Sequence, residues 1–117
     1  MKKGFVLNSA APLLAAVVLM TQPLHAAAFD AVAGEATLRR EGCLKCHGID
    51  KKKDGPAYRQ VAAKYRGKPE AEEKLITHVK SGRVVKLSSG EEEEHRIIKT
   101  TDEAEIRNLI QWILSLE

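Results

Sequence analysis

The sequence predicts an all-α fold for residues 29–117, and three observations support this prediction. Apolar side chains recur at helical spacing in several segments, most clearly near the C-terminus. Glycine or proline separates these segments, as is typical of helix ends. No strand is needed to account for the rest of the pattern. The sequence shows neither internal repeats nor a second domain, so these residues are predicted to form one small domain.

The first 28 residues are typical of a secretory signal peptide. Lys2 and Lys3 give a positive start, an apolar stretch follows, and residues 26–28 are three alanines that match the small-residue cleavage pattern. The alternative is a retained membrane helix, but the uninterrupted apolar run over residues 10–20 is shorter than the roughly 20 residues that a span needs. We expect cleavage after Ala28, with Ala26 as the second choice, and no stable membrane anchor afterwards.

Cleavage changes the charge balance and removes every methionine. Without Lys2 and Lys3, the 19 basic residues become 17 against 16 acidic ones, so the formal net charge falls from +3 to +1. This balance gives no indication of nucleic-acid binding. Met1 and Met20 are the two methionines of the chain, and both precede the cleavage site. A domain of this size usually needs a disulfide, metal or cofactor to stabilise its core.

The helix ends can be predicted from capping residues. Asp30 is placed to cap a first helix that runs to about Arg40 and ends at Gly42. A polar loop over residues 51–55 follows, and Pro56 suits the first turn of a second helix that Gly67 closes.

The third and fourth helices are predicted in the same way. Pro69 opens the third helix and Gly82 follows its end. Asp102 caps the fourth, with Glu105 three residues later in the position of a capping box. The fourth helix carries an apolar stripe formed by Ile106, Leu109, Ile110 and Ile113, flanked by Trp112 and Leu116.

The segment Cys43-Leu44-Lys45-Cys46-His47 has the C-x-x-C-H pattern of covalent haem attachment. Two thiols at this spacing can add to the two vinyl groups on one porphyrin edge, and the next residue then offers an imidazole to iron. A thioredoxin-like motif would need a neighbouring strand, and a zinc site would need four ligands where only two cysteines exist. A plain disulfide would leave His47 unexplained. We therefore predict one covalent c-type haem with His47 as an axial iron ligand.

The motif, Gly55-Pro56-Ala57-Tyr58, residues 61–65 and Trp112 together resemble the small bacterial class I cytochromes c that donate electrons to nitrite reductases. The resemblance covers essentially all of residues 29–117. It implies the class I fold, in which helices wrap around one haem and the C-terminal helix crosses the N-terminal helix. It also implies that the carbonyl of Pro56 accepts a hydrogen bond from His47, which would orient the imidazole.

The chain departs from this family at the sixth iron ligand. The family supplies a methionine from a proline-rich loop before the last helix, but residues 84–101 contain neither residue type. His95 lies close to the expected position, so we predict it as the distal ligand, presented by a one-turn helix starting at Ser88 or Ser89. The alternatives are an open or water-bound iron, or another side chain such as Lys86 or Lys99. His78 fits a contact with a haem propionate, or plain exposure, better than ligation.

These features predict a periplasmic one-electron carrier with bis-histidine haem, lower in potential than its methionine-ligated relatives. Its partners would be redox proteins. The glutamates 91–94 are either a solvated helix start or a docking rim opposite the lysines 51–53. One alternative is a ligand-binding or sensory haem protein with an open distal site. Another is an electron-transfer subunit of a larger enzyme complex. No nucleophile–base pair or acid pair indicates that the chain is itself an enzyme.

Overall fold

The structure is a computed structural model that describes residues 1–4, 8 and 29–117, so most of the predicted signal peptide lies outside the described residues. The described part contains four helices, one short 3₁₀ turn and two short strands. They are α1 (Ala31–Arg40), the turn at Cys43–Lys45, α2 (Tyr58–Tyr65), α3 (Ala71–Ser81), β1 (Val84–Lys86), β2 (Glu92–Glu94) and α4 (Glu103–Leu114). Among the described residues, no helix has the length and apolar character needed to cross a membrane.

The predicted helix ends are confirmed within two residues. The Asp30 side chain accepts a hydrogen bond from the backbone nitrogen of Ala33 and so caps α1. Gly42 and Gly82 follow α1 and α3 with φ angles of 74° and 59°, a left-handed conformation that glycine adopts without steric cost. The helices α2 and α3 each begin two residues after the proline that was expected to open them.

The core forms where the two terminal helices cross. A Cβ atom placed on Gly34 of α1 would lie 2.9 Å from the Cβ atom of Trp112 on α4, so the helices meet there at very short distance. The packing of α2 and α3 against α4 completes one apolar cluster. Its buried members are Leu38, Tyr58, Leu75, Ile76, Ile106, Leu109, Ile110, Trp112 and Ile113. The helix crossing implied by the family resemblance is therefore present.

The capping box predicted at α4 forms only in part. Asp102 accepts hydrogen bonds from the backbone nitrogens of Ala104 and Glu105. The Glu105 carboxylate does not return to the Asp102 backbone, but accepts from the hydroxyls of Thr37 and Thr100 and pairs with Arg40. Hydrogen bonds to Glu105 lower its pKa to about 2. The Thr100 hydroxyl contributes most, then Arg40 and Thr37. This carboxylate thus joins α1, α4 and the segment before α4.

The segment between α3 and α4 differs from the prediction. Instead of a one-turn helix started by Ser88 or Ser89, the chain forms an antiparallel hairpin in which β1 pairs with β2, with Val85 opposite Glu93. The Ser88 hydroxyl donates to the carbonyl of Lys53 at 2.5 Å, so it fastens the hairpin turn to the polar loop and caps no helix. This small sheet is the one strand-containing feature in the described residues, and the fold is otherwise helical as predicted.

Candidate functional site

A cavity of about 1030 Å³ lies between the C-x-x-C-H segment and the hairpin. Its volume is at the upper end of the roughly 300–1,000 Å³ range of small-molecule sites. One wall contains Cys43, Cys46 and His47, and the opposite side contains His78 and His95. The floor includes apolar side chains of α4, such as Leu109 and Ile110. All five predicted sulfur- and nitrogen-bearing residues therefore face the same space.

His47 is held in a defined orientation by three neighbours. Its Nδ1 lies 2.7 Å from the carbonyl oxygen of Pro56, and because a carbonyl only accepts, Nδ1–H is the donor. Its ring stacks on Tyr58 with centroids 4.8 Å apart. Gly55 leaves no space behind it, since an added Cβ atom would lie 2.5 Å from Cε1 of His47. Burial lowers the pKa of His47, so the neutral ring keeps a lone pair on Nε2 for a metal ion.

The two cysteines are partly buried and free, so the structure contains no disulfide between them. The 3₁₀ turn over Cys43–Lys45 brings them onto one side, with the Cys46 backbone nitrogen donating to the carbonyl of Cys43. Gly42 allows the sharp change of direction between α1 and this turn. Two thiols and one imidazole from five consecutive residues are the donor set that covalent haem attachment requires.

The structure places His95 across the cavity from His47. The two ring centroids are 6.1 Å apart and the ring planes are inclined by 54°. A metal–imidazole bond is about 2 Å long, and two such bonds with half a ring at each end span about 6 Å. The gap thus fits one metal ion with an imidazole on each side. His95 donates from Nδ1 to the Arg96 carbonyl at 2.9 Å, which leaves its Nε2 available.

The position of His78 differs from the expectation of plain exposure. His78 is half-buried, and its ring centroid lies 4.2 Å from that of His95. Burial is the main cause that lowers the pKa of His78 to about 4, and the neighbouring His95 contributes next. The distal side therefore holds two imidazoles in contact. A contact between His78 and a haem propionate stays a prediction.

The acidic run lies on the hairpin. Glu91 to Glu94 are exposed, and none of them forms an ion pair with another described residue. The turn of the hairpin contacts the backbone of the polar loop at Lys53 and Asp54, so the acidic and basic segments are adjacent through this turn instead of opposite each other. Partner docking on these glutamates stays a prediction.

Sequence reasoning missed the contacts through which three residues shape the site. Gly55 fits against the His47 ring, Ser88 fastens the hairpin, and Glu41 binds the segment that follows His95. Gly55 is the first residue of the quoted motif Gly55-Pro56-Ala57-Tyr58, so its small size was a signal available from the sequence. The contacts of Ser88 and Glu41 join residues that are 35 and 58 positions apart, and no local pattern indicates them.

Comparison with known proteins identifies similar chains. The family model described as cytochrome c matches residues 31–117. Cytochrome c-552 of Hydrogenobacter thermophilus is 38% identical over 85 residues, which are 73% of this chain and 83% of that protein. Cytochrome c-551 of Allochromatium vinosum is 34% identical over 87 residues, covering 74% of this chain and 89% of the relative.

A solved structure supports the same assignment of fold. The class 1 cytochrome MtoD from Sideroxydans lithotrophicus ES-1 superposes with a TM-score of 0.71 and 53% sequence identity. The match covers 75% of this chain and 97% of the solved chain. The family model begins at Ala31, so residues 1–30 lie outside that match.

Proposed function

The chain belongs to the cytochrome c family, whose members carry one covalently bound c-type haem, and we propose that it is a periplasmic one-electron carrier whose iron is bound by His47 and His95. The fold is the class I fold, and electron transfer between redox partner proteins is the activity of such carriers. The ligand pair, the potential and the location in the cell are the parts that this proposal adds.

The separation of His47 and His95 carries the ligand assignment. Their ring centroids are 6.1 Å apart, which matches the span of two metal–imidazole bonds with half a ring at each end. Both rings have Nδ1 engaged by a backbone carbonyl, so both leave Nε2 free for a metal ion. No methionine follows Met20, so the ligand usual in related proteins is not available from the proposed mature chain.

We assign covalent attachment to Cys43 and Cys46. Each thiol would add across one vinyl group of the haem, with sulfur bonding to one vinyl carbon and the thiol hydrogen passing to the other. Pro56 then acts through His47, because its carbonyl fixes the imidazole and increases the basicity of the coordinating nitrogen. The bound haem supplies a reversible one-electron couple, while the protein excludes water from its face and fixes both axial groups.

Bis-histidine ligation should place the potential below that of relatives with a methionine ligand. A thioether raises the potential of haem iron, whereas an imidazole stabilises the ferric state more strongly. With His47 and His95 holding both axial positions, the haem would exchange electrons without binding a substrate. This property separates a carrier from a sensor, because a sensor needs a free or displaceable position.

The proposed cleavage after Ala28 agrees with the position at which the folded domain starts. Phe29 packs against the core, and the backbone nitrogen of Asp30 donates to the side chain of Asn108 at 2.7 Å. Removal of residues 1–28 would therefore leave every described contact of the domain in place. The mass of the exported protein should correspond to a chain beginning at Phe29 plus one haem.

The ligand assignment can be tested with His95→Met. If His95 binds iron, the sulfur should replace the imidazole, produce the methionine–iron charge-transfer band and raise the potential. Glu94→Met is the matched control, since it adds the same side chain at the adjacent, exposed end of β2. It should leave the spectrum and potential at wild-type values. An unchanged low-spin spectrum and potential in His95→Met would contradict the assignment.

A further inference from the structure

His78 offers a second imidazole on the distal side of the cavity. Its ring centroid is 4.2 Å from that of His95, and both side chains line the same space. No hydrogen bond joins the His78 ring to any residue that the structure describes, so its nitrogens have no competing partner there. The proposed carrier function uses His95 as the iron ligand and assigns no role at the iron to this neighbouring imidazole.

The two histidines are attached to the protein in different ways. His78 lies on α3, whose residues Leu75 and Ile76 are buried in the core. His95 follows β2 in an irregular segment, where its backbone nitrogen donates to the carbonyl of Arg83. Movement of the hairpin segment would therefore displace His95 while α3 keeps His78 beside the cavity.

We propose that His78 is a reserve distal ligand that binds the iron when His95 is displaced or removed. This inference rests on the proposed bis-histidine function. The exchange breaks one iron–nitrogen bond to His95 and forms one to His78, with no change in electron or proton count. An imidazole held next to the vacated position acts at high effective concentration. Neutral imidazole is also the same ligand type, so the replacement suits the same metal.

This arrangement would keep the iron six-coordinate and closed to small molecules during hairpin motion. A protein with one distal histidine exposes its iron whenever that ligand dissociates. Here the imidazole of His78 lies next to the coordination position that His95 would leave. The haem would therefore continue to transfer electrons without becoming a site for CO or NO.

Three variants test the inference: His95→Ala, His78→Ala and the double variant. His78→Ala should stay low-spin and bind CO as weakly as the wild type, because His95 still occupies the iron. His95→Ala should stay low-spin with a shifted potential, and only the double variant should become high-spin and bind CO readily. If His78 occupies the iron about 99% of the time in His95→Ala, its apparent CO affinity should be about 100-fold below that of the double variant.

The outcomes separate this inference from the proposed function. A high-spin His95→Ala protein with the CO affinity of the double variant would overturn the reserve role and leave His95 as the ligand. A high-spin His78→Ala protein would instead contradict the assignment of His95. A low-spin double variant would show that a third group binds, which overturns the reserve role as well. Thr77→Ala, combined with His95→Ala, controls for a change on the same helix, and His78→Gln serves if the alanine variant does not fold.

Discussion

The carboxylate of Glu41 accepts a hydrogen bond at 2.7 Å from the backbone nitrogen of Lys99, which is 58 positions later in the chain. It also accepts from the nitrogen of Thr100 at 3.3 Å, and Glu41 is buried. Glu41 directly precedes the glycine before the C-x-x-C-H motif, whereas Lys99 follows His95 by four residues. One carboxylate therefore joins the segments that carry the two proposed iron ligands.

Glu41→Ala should lower the free energy of unfolding of the holoprotein by about 1–3 kcal/mol, because the backbone N–H groups of Lys99 and Thr100 lose their hydrogen bonds to a buried carboxylate. The Lys99 amide should also exchange its hydrogen faster in native conditions. Denaturant titration and amide exchange measure the two effects. Glu41→Gln retains one acceptor oxygen and should lose less stability. Equal Lys99 exchange rates in wild type and Glu41→Ala would contradict this role.

Gly34→Ala should destabilise the crossing of α1 and α4. The new Cβ atom would meet the Cβ atom of Trp112 at 2.9 Å, and that atom cannot move unless the helix moves. Overpacking costs about 1–3 kcal/mol, and the helix propensity of alanine returns up to about 1 kcal/mol. We expect a net loss in the free energy of unfolding, measured by denaturant titration. Ala36→Gly on the exposed face of α1 measures the propensity effect alone, and a more stable Gly34→Ala protein would refute the expectation.

The helices and one wall of the site could be predicted because their signals are local. Asp30 and Asp102 cap helices through neighbouring backbone nitrogens, and the motif places Cys43, Cys46 and His47 within five residues. The position of His95 was predicted from the resemblance and from the absence of methionine, and the structure brings it opposite His47.

The hairpin could not be predicted because its strands lack a strand pattern. Strand β2 consists of Glu92, Glu93 and Glu94, a residue type that is depleted in strands. Its conformation depends on pairing with β1 and on the contact between Ser88 and Lys53, both of which form only in the folded chain. The contact between His78 and His95 depends on the same hairpin, so the sequence did not indicate it.

Glu105→Gln should reduce the acid sensitivity of the domain. The folded pKa of Glu105 is about 2, below its ordinary value of 4.5, because Thr100, Arg40 and Thr37 stabilise its charged form. A lowered folded pKa gives stability that is present above about pH 4.5 and is lost as the pH falls toward about 2. The wild-type free energy of unfolding should thus fall more steeply than that of the variant across this window. Glu103→Gln is the control for loss of one charge on the same helix as Glu105, because it breaks an exposed ion pair between α4 and Lys80 of α3. Parallel curves for Glu105→Gln and wild type would contradict the prediction.

Replacement of both Cys43 and Cys46 by alanine should abolish stable holoprotein. Wild-type haem should remain with the polypeptide on a reducing, denaturing gel, because thioether bonds survive both treatments. Cys46→Ala alone should retain haem through Cys43, at a lower yield. Haem staining against total protein measures these differences. Full recovery of the wild-type haem by acid–acetone extraction would rule out covalent attachment.

Gly55→Ala should disturb the proximal ligand without changing any ligand atom. Its Cβ atom would lie 2.5 Å from Cε1 and 2.9 Å from Nδ1 of His47, so the imidazole would have to leave its bond to the Pro56 carbonyl. Loss of this bond weakens the basicity and orientation of a metal-bound histidine, so the iron should gain a high-spin fraction and its potential should shift. Gly67→Ala is the matched control: its φ of 72° makes alanine costly, but no atom lies within 4 Å of its Cβ position. The control should lose about 1 kcal/mol of stability, since a left-handed alanine is strained, while its spectrum stays that of the wild type. A Gly55→Ala protein with wild-type spin state and potential would show that the ring has space to remain in place.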